Sequence, residues 1–147
     1  MSDKKPHIHC IYASTSGNTE YAVETASGIW QQQGAQITLH KAQKTPIDVV
    51  IKNQRFLFAT STWDHGTLNP YFNALYAELQ TADLSGKTAC FIGLGDRRYE
   101  HYYFCTGMKL LQEVWQKNGG TTVGTQLTIG REPYEEAITN IIIEWAT

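Results

Sequence analysis

At 147 residues, 41% of them hydrophobic, the chain has the length of about one domain and can bury roughly two-thirds of its unfolded surface. Twelve basic and fourteen acidic residues leave a formal charge of -2 with no block of one sign, which gives no reason to expect nucleic acid or an anionic membrane as partner. Residues 1–6 are polar and no apolar run nears 18 residues, so the expectation is a cytoplasmic chain without a signal peptide or membrane span.

Residues 8–13 form an apolar run of strand length, and Ala22, Val23, Ala26, Ile29 and Trp30 then recur at helical spacing. Between them lie Ser14, Thr15, Ser16, Gly17, Asn18 and Thr19, which places this stretch at a strand-to-helix turn. Helix-opening N–H groups lack intrahelical partners and carry the positive end of the macrodipole, so such a turn suits an anion. A nucleoside-triphosphate loop needs a Lys and a Mg-binding hydroxyl; this stretch holds no cation, which points to a terminal monophosphate held by neutral donors. Taken alone, the same stretch also reads as a plain Ser/Thr-rich N-cap.

Gln33 and Gly34 mark a helix stop, and residues 36–40 alternate apolar with polar as a half-buried strand near a sheet edge does. Pro46 opens a short apolar run, residues 47–51, of one or two helical turns. Residues 55–60 read as a central parallel strand covered on both faces, ending in a polar loop of Ser61, Thr62, Trp63, Asp64, His65 and Gly66. Asn69 and Pro70 give a helix start, followed by the apolar stripe Tyr71, Phe72, Leu75, Tyr76 and Leu79. Residues 87–93 are another buried strand, with a polar loop from Gly95 to Cys105 behind it. Met108, Leu111, Val114 and Trp115 mark the next helix, closed by Asn118, Gly119 and Gly120. A β-branched strand over residues 121–129 and a last helix opened by Pro133 complete about five βα repeats.

Alternating strands and helices predict an α/β fold: a doubly wound five-stranded parallel sheet, helices on both faces, one domain over residues 1–147. The ligand of such a sheet sits beyond the carboxyl ends of its strands, where the winding direction switches, so the loops after the first, third and fourth strands converge there. Those loops carry the phosphate turn, Trp63 and Tyr99, and two rings on separate loops can sandwich a flat heterocycle. Cys10, Cys90 and Cys105 are odd in number and widely spaced, as reduced thiols are, with Cys10 and Cys90 in core strands. His7 and His9 share a strand face, but zinc needs three or four ligands, and no metal site is expected.

With these residues in view the chain resembles a short-chain flavodoxin, an electron carrier that binds FMN without covalent attachment. The family's Thr/Ser-x-Thr-Gly-x-Thr phosphate loop is matched at Ser14, Ser16, Gly17 and Thr19, its Ser-Thr-Trp loop at Ser61, Thr62 and Trp63, and its third loop at Gly93, Leu94, Gly95, Asp96, Tyr99 and Glu100. The resemblance implies Trp63 on the inner flavin face, Tyr99 on the outer face, Asp96 near the polar edge, and Tyr103, Phe104 and Cys105 completing the pocket, with Asp64 and His65 beside it. It implies a low-potential one-electron carrier, not an enzyme, that works as a monomer between a flavodoxin reductase and acceptor enzymes. An uninterrupted fifth strand over residues 121–129 resembles the short-chain subgroup.

Three departures qualify the resemblance. Arg97 and Arg98 stand where small or acidic residues are usual, and favour the reduced anion. Asp64 replaces a glycine that eases a peptide flip on reduction, at roughly 1 kcal/mol relative to Gly, so the half-reduced flavin should accumulate less. The charge of -2 gives weaker steering toward basic partners than an acidic flavodoxin has. Competing readings are a flavin reductase of the same fold, which lacks a G-x-G-x-x-G fingerprint here, a phosphoacceptor domain, which lacks acidic residues after the first strand, and a flavin-free interaction domain.

Overall fold

The computed structural model describes residues 7–13, 18–63, 67–94, 106–122 and 127–129. Its inner strand β1 (His7–Ala13) is buried at every position after the first, as a strand covered on both faces must be. On one side β1 pairs in parallel with β2 (Gln36–Lys41), and on the other with β3 (Arg55–Trp63), which pairs in parallel with β5 (Thr88–Leu94). The order β2-β1-β3-β5 continues into β6 (Thr121–Thr122) and β7 (Leu127–Ile129), both parallel to β5. Together they form the fifth strand, so the expected doubly wound parallel sheet is present.

Strand alternation divides the core between the two faces. Ile8, Cys10, Tyr12, Leu57, Ala59, Cys90 and Ile92 pack against Val23, Ala26 and Trp30 of α1 (Asn18–Gln32). Ile11, Ala13, Phe56, Phe58, Ala89 and Phe91 face Phe72, Leu75 and Leu79 around α3 (Asn73–Leu79), and Met108, Leu111, Val114 and Trp115 of α4 (Thr106–Lys117). Cys10 and Cys90 are buried on the α1 face; burial pushes the Cys10 thiol up to about 12 and Cys90 well above its usual range, so both are inert hydrophobes.

The turns follow from their residues. Gly34, at φ +100°, ends α1 in a conformation that costs a side chain strain. Asn69 Oδ1 accepts the Tyr71 N–H at 3.0 Å over a 3-10 turn, Pro70–Phe72, that leads into α3. Of the expected stripe, Phe72, Leu75 and Leu79 are buried and Tyr76 packs partly, whereas Tyr71 is exposed. The 3-10 entry turns it off the α-helical face. The run expected after Pro46 is α2 (Ile47–Ile51), preceded by a 3-10 turn, Ala42–Lys44, that periodicity did not reveal.

Three expectations need amendment. β3 runs through Ser61, Thr62 and Trp63, expected to be loop, because Thr62 and Trp63 pair antiparallel with β4 (Thr67–Leu68) and the ladder continues. β2 lies at the sheet edge as expected, but Leu39, on its supposedly buried side, is 42% exposed. The fifth strand is not in uniform register: Thr88 faces Thr121 while Ile92 faces Leu127, so four residues of advance on β5 are matched by six. The last helix, expected from Pro133 onward, lies outside the described residues.

At the amino ends of the strands the chain satisfies several buried polar groups itself, although the buried His9 Nε2 has no partner among the described residues. Lys87 Nζ, barely exposed, donates to the carbonyls of Ile51 and Asn53, each at 2.8 Å, closing the end of α2. Trp115 Nε1 donates to the Thr121 carbonyl at 2.9 Å, and Asn118 Nδ2 to that of Leu79. A Cβ at Gly120 would collide with the Trp115 indole, so the sequence needs glycine there for space. His9 Nδ1 and His40 Nε2 are 3.0 Å apart, one N–H donating to the other's lone pair, and the His7 ring stacks on His9 at 4.3 Å. Burial, then His7, then His40 hold His9 down at about 4, with Asn53 acting weakly in the opposite sense.

Candidate functional site

The winding direction reverses between β1 and β3, the place where a doubly wound sheet binds its ligand. Register brings the ends of β1 and β5 to one level on β3, Ala13 opposite Thr60, Thr60 opposite Gly93, and Ser61 opposite Leu94, while β3 runs on to Trp63. The connections leaving β1, β3 and β5 therefore depart from adjacent points on one edge. α1, fifteen residues long, follows β1, and Glu20 of its first turn lies within hydrogen-bond reach of Tyr12.

Of the residues singled out by sequence, Asn18 and Thr19 open α1, and Thr19 is 2% exposed. Ser61, Thr62 and Trp63 are the last residues of β3, and Leu94 is the last of β5. The register thus brings the Ser-Thr-Trp segment and Leu94 to one edge. Ser14, Thr15, Ser16, Gly17, Asp64, His65, Gly95, Asp96, Tyr99, Tyr103, Phe104 and Cys105 lie outside the described residues, as do Arg97, Arg98 and Glu100.

One pair at this edge escaped the sequence reading. Tyr12 Oη, next to the end of β1, donates to Glu20 Oε1 of the first turn of α1 at 3.1 Å. Burial, the bond to Glu20 and the charges of Glu20 and Glu24 all push the Tyr12 hydroxyl above its usual range, so it stays protonated and donating. The available signal was a tyrosine inside an otherwise apolar strand, whose buried hydroxyl needs an acceptor. Among the described residues no group of three or more His, Cys, Asp or Glu side chains can hold a metal ion, and no helix is long and apolar enough to cross a membrane.

Strand ends at a topological switch, beside a helix N-terminus with no sequence-adjacent cation, define an α/β protein built to hold a phosphate-bearing organic cofactor. The family model described as Flavodoxin matches residues 10–145. A flavodoxin of Maridesulfovibrio salexigens is 31% identical over 131 residues, spanning 87% of this chain and 88% of that protein. Among solved structures, a short-chain flavodoxin associated with a non-canonical PDU bacterial microcompartment superposes at TM-score 0.86 with 25% identity, over 97% of this chain and 99% of that one. The Fusobacterium nucleatum flavodoxin bound to flavin mononucleotide shares the fold at TM-score 0.82, with 18% identity over 95% and 96% of the two chains. The chain belongs to the flavodoxin family. Flavodoxins carry electrons on flavin mononucleotide, so this is an electron-transfer flavoprotein and not an enzyme.

Proposed function

We propose that this protein is a low-potential one-electron carrier that binds FMN at the carboxyl edge of its sheet, through the loops that follow β1, β3 and β5. The observation that carries the reading is the register that gathers the carboxyl ends of β1 and β5 on either side of the last residues of β3, with α1 following β1. The donor set fits the cofactor. Hydroxyls and an amide at Ser14, Thr15, Ser16, Asn18 and Thr19, with Gly17 giving backbone access, would hold the phosphate alongside the N–H groups of α1. Ser61, Thr62 and Trp63, with Asp64 and His65, would border the inner face of the ring, and Leu94, Gly95, Asp96 and Tyr99 the outer face. Tyr103, Phe104 and Cys105 would complete the pocket.

FMN supplies the redox chemistry when bound; the chain binds, orients and tunes it. The two rings exclude water from the flavin faces. Asp64, Asp96 and Glu100 oppose negative charge on the ring, and Arg97 and Arg98 counter them. The whole of residues 1–147 acts as one cytoplasmic domain, a monomer that exchanges electrons with a reductase and with acceptor enzymes. The test is titration of the flavin-free protein with FMN, followed by tryptophan emission and thermal midpoint. Saturation near one equivalent, a raised midpoint and release of FMN but not FAD on denaturation are expected. Unaltered emission and midpoint at saturating FMN would refute the reading.

A further inference from the structure

A glutamate at the third position of a helix can fold back toward the backbone N–H groups at the helix opening, as in the reciprocal half of a capping box. Glu20 stands in the first turn of α1, where that arrangement would put a carboxylate on the same donors that an anionic ligand needs. Its Oε1 accepts a hydrogen bond from Tyr12 Oη at 3.1 Å. Tyr12 is 6% exposed and fixed on β1, packed with Val23 and Ala26 on the α1 face of the sheet, so its hydroxyl is a rigid anchor and not a mobile surface group. Glu24, one turn further along α1, adds a second negative charge near the same hydroxyl, which keeps the phenol proton in place.

From this we infer that Tyr12 is a positioning residue for phosphate recognition: by tethering Glu20 it diverts a competing carboxylate from the opening of α1 and leaves those N–H groups to the phosphate of FMN. The inference rests on the FMN reading above and adds to it a determinant on the strand, outside the loops. It concerns the phosphate end of the cofactor alone. Riboflavin, which presents the same ring without the phosphate, should be indifferent to the tether.

The experiment compares FMN and riboflavin affinities, by quenching of flavin fluorescence, for the wild-type chain, Tyr12→Phe, Glu20→Ala and the double variant. In Tyr12→Phe the freed carboxylate competes with the phosphate, and the ratio of FMN to riboflavin affinity should fall about fivefold, the size of a helix-terminal charge effect. Removing the carboxylate as well should restore the ratio, and Glu20→Ala alone should leave it at or above the wild-type value. A purely structural role for Tyr12 would weaken both flavins equally and leave the ratio unmoved, which would overturn the inference. Persistence of the fall in the double variant would overturn it too, because the carboxylate would then not be the competitor. If the wild-type chain binds neither flavin, the functional reading itself fails, and the inference with it; if it binds FMN and the ratio ignores Tyr12, only the inference fails.

Discussion

The two ends of the sheet solve the problem of buried polar groups in opposite ways. At the amino ends the chain answers itself: Lys87 serves the carbonyls of Ile51 and Asn53, Trp115 that of Thr121, Asn118 that of Leu79, and His9 pairs with His40. At the carboxyl ends β1 and β5 stop within a residue of each other while β3 runs on to Trp63, and Glu20 in the first turn of α1 is held by Tyr12. Internal pairing makes one end a foundation, and withheld pairing makes the other a receptor. Substitutions at the amino end should therefore change stability and not flavin affinity, and those at the carboxyl end the reverse.

The largest expected effect is at the foundation. Trp115 is 1% exposed and meets Phe56, Phe58 and Phe91 edge-on, so Trp115→Ala should cost about 4 kcal/mol in urea unfolding. Lys87→Met keeps the stem's volume but strips two carbonyls of a cationic donor, and should cost about 3 kcal/mol. In either variant, a change in FMN affinity larger than the change in stability would break the division between the ends.

Acid should act on the same end. His9 is held at about 4 when folded against an ordinary 6.5, so the unfolded chain takes up the proton first as pH falls. Its contribution is whole above pH 6.5 and fades as pH drops toward 4. A loss of about 2 kcal/mol across that window is expected, less than the full shift because His40 opens toward solvent. Read from urea midpoints at several pH values, the slope should shrink in His9→Phe but not vanish, because burial and His7 also hold His40 below its usual range.

At the receptor end, Trp63→Ala should weaken FMN by about thirtyfold, the scale of one lost aromatic stack, with apo-protein stability nearly unchanged. The smallest effect belongs to the loop after β5. Replacing Arg97 and Arg98 together by serine removes two cations and should make full reduction of the flavin harder by about 30 mV in a redox titration, an effect that added salt shrinks. A couple that did not move would assign both side chains to solvent.

The contrast between the ends also explains what could be read from the sequence. The positions of β1, β3, β5 and α4 were legible because buried parallel strands are short apolar runs and Met108, Leu111, Val114 and Trp115 keep a helical period. The phosphate turn and the Ser-Thr-Trp segment were legible as residue types at strand ends. Cross-strand partnerships were not: His40 joining His9, Lys87 reaching back to α2, and Tyr12 holding Glu20 all link residues whose proximity depends on register. Neither was the extension of β3, since Ser61 and Thr62 look like loop until β4 supplies the opposing backbone.

The mismatched register of the fifth strand has a bearing on self-association. Among the described residues that flank pairs at Thr121–Thr122 and at Leu127–Ile129, the second pairing offset by two residues from the first. At the opposite flank β2 offers six residues in unbroken register, guarded by the exposed charge of Lys41 at its end. β2 is thus an edge open to strand addition, and a β2 stripped of Lys41 should seed fibres sooner.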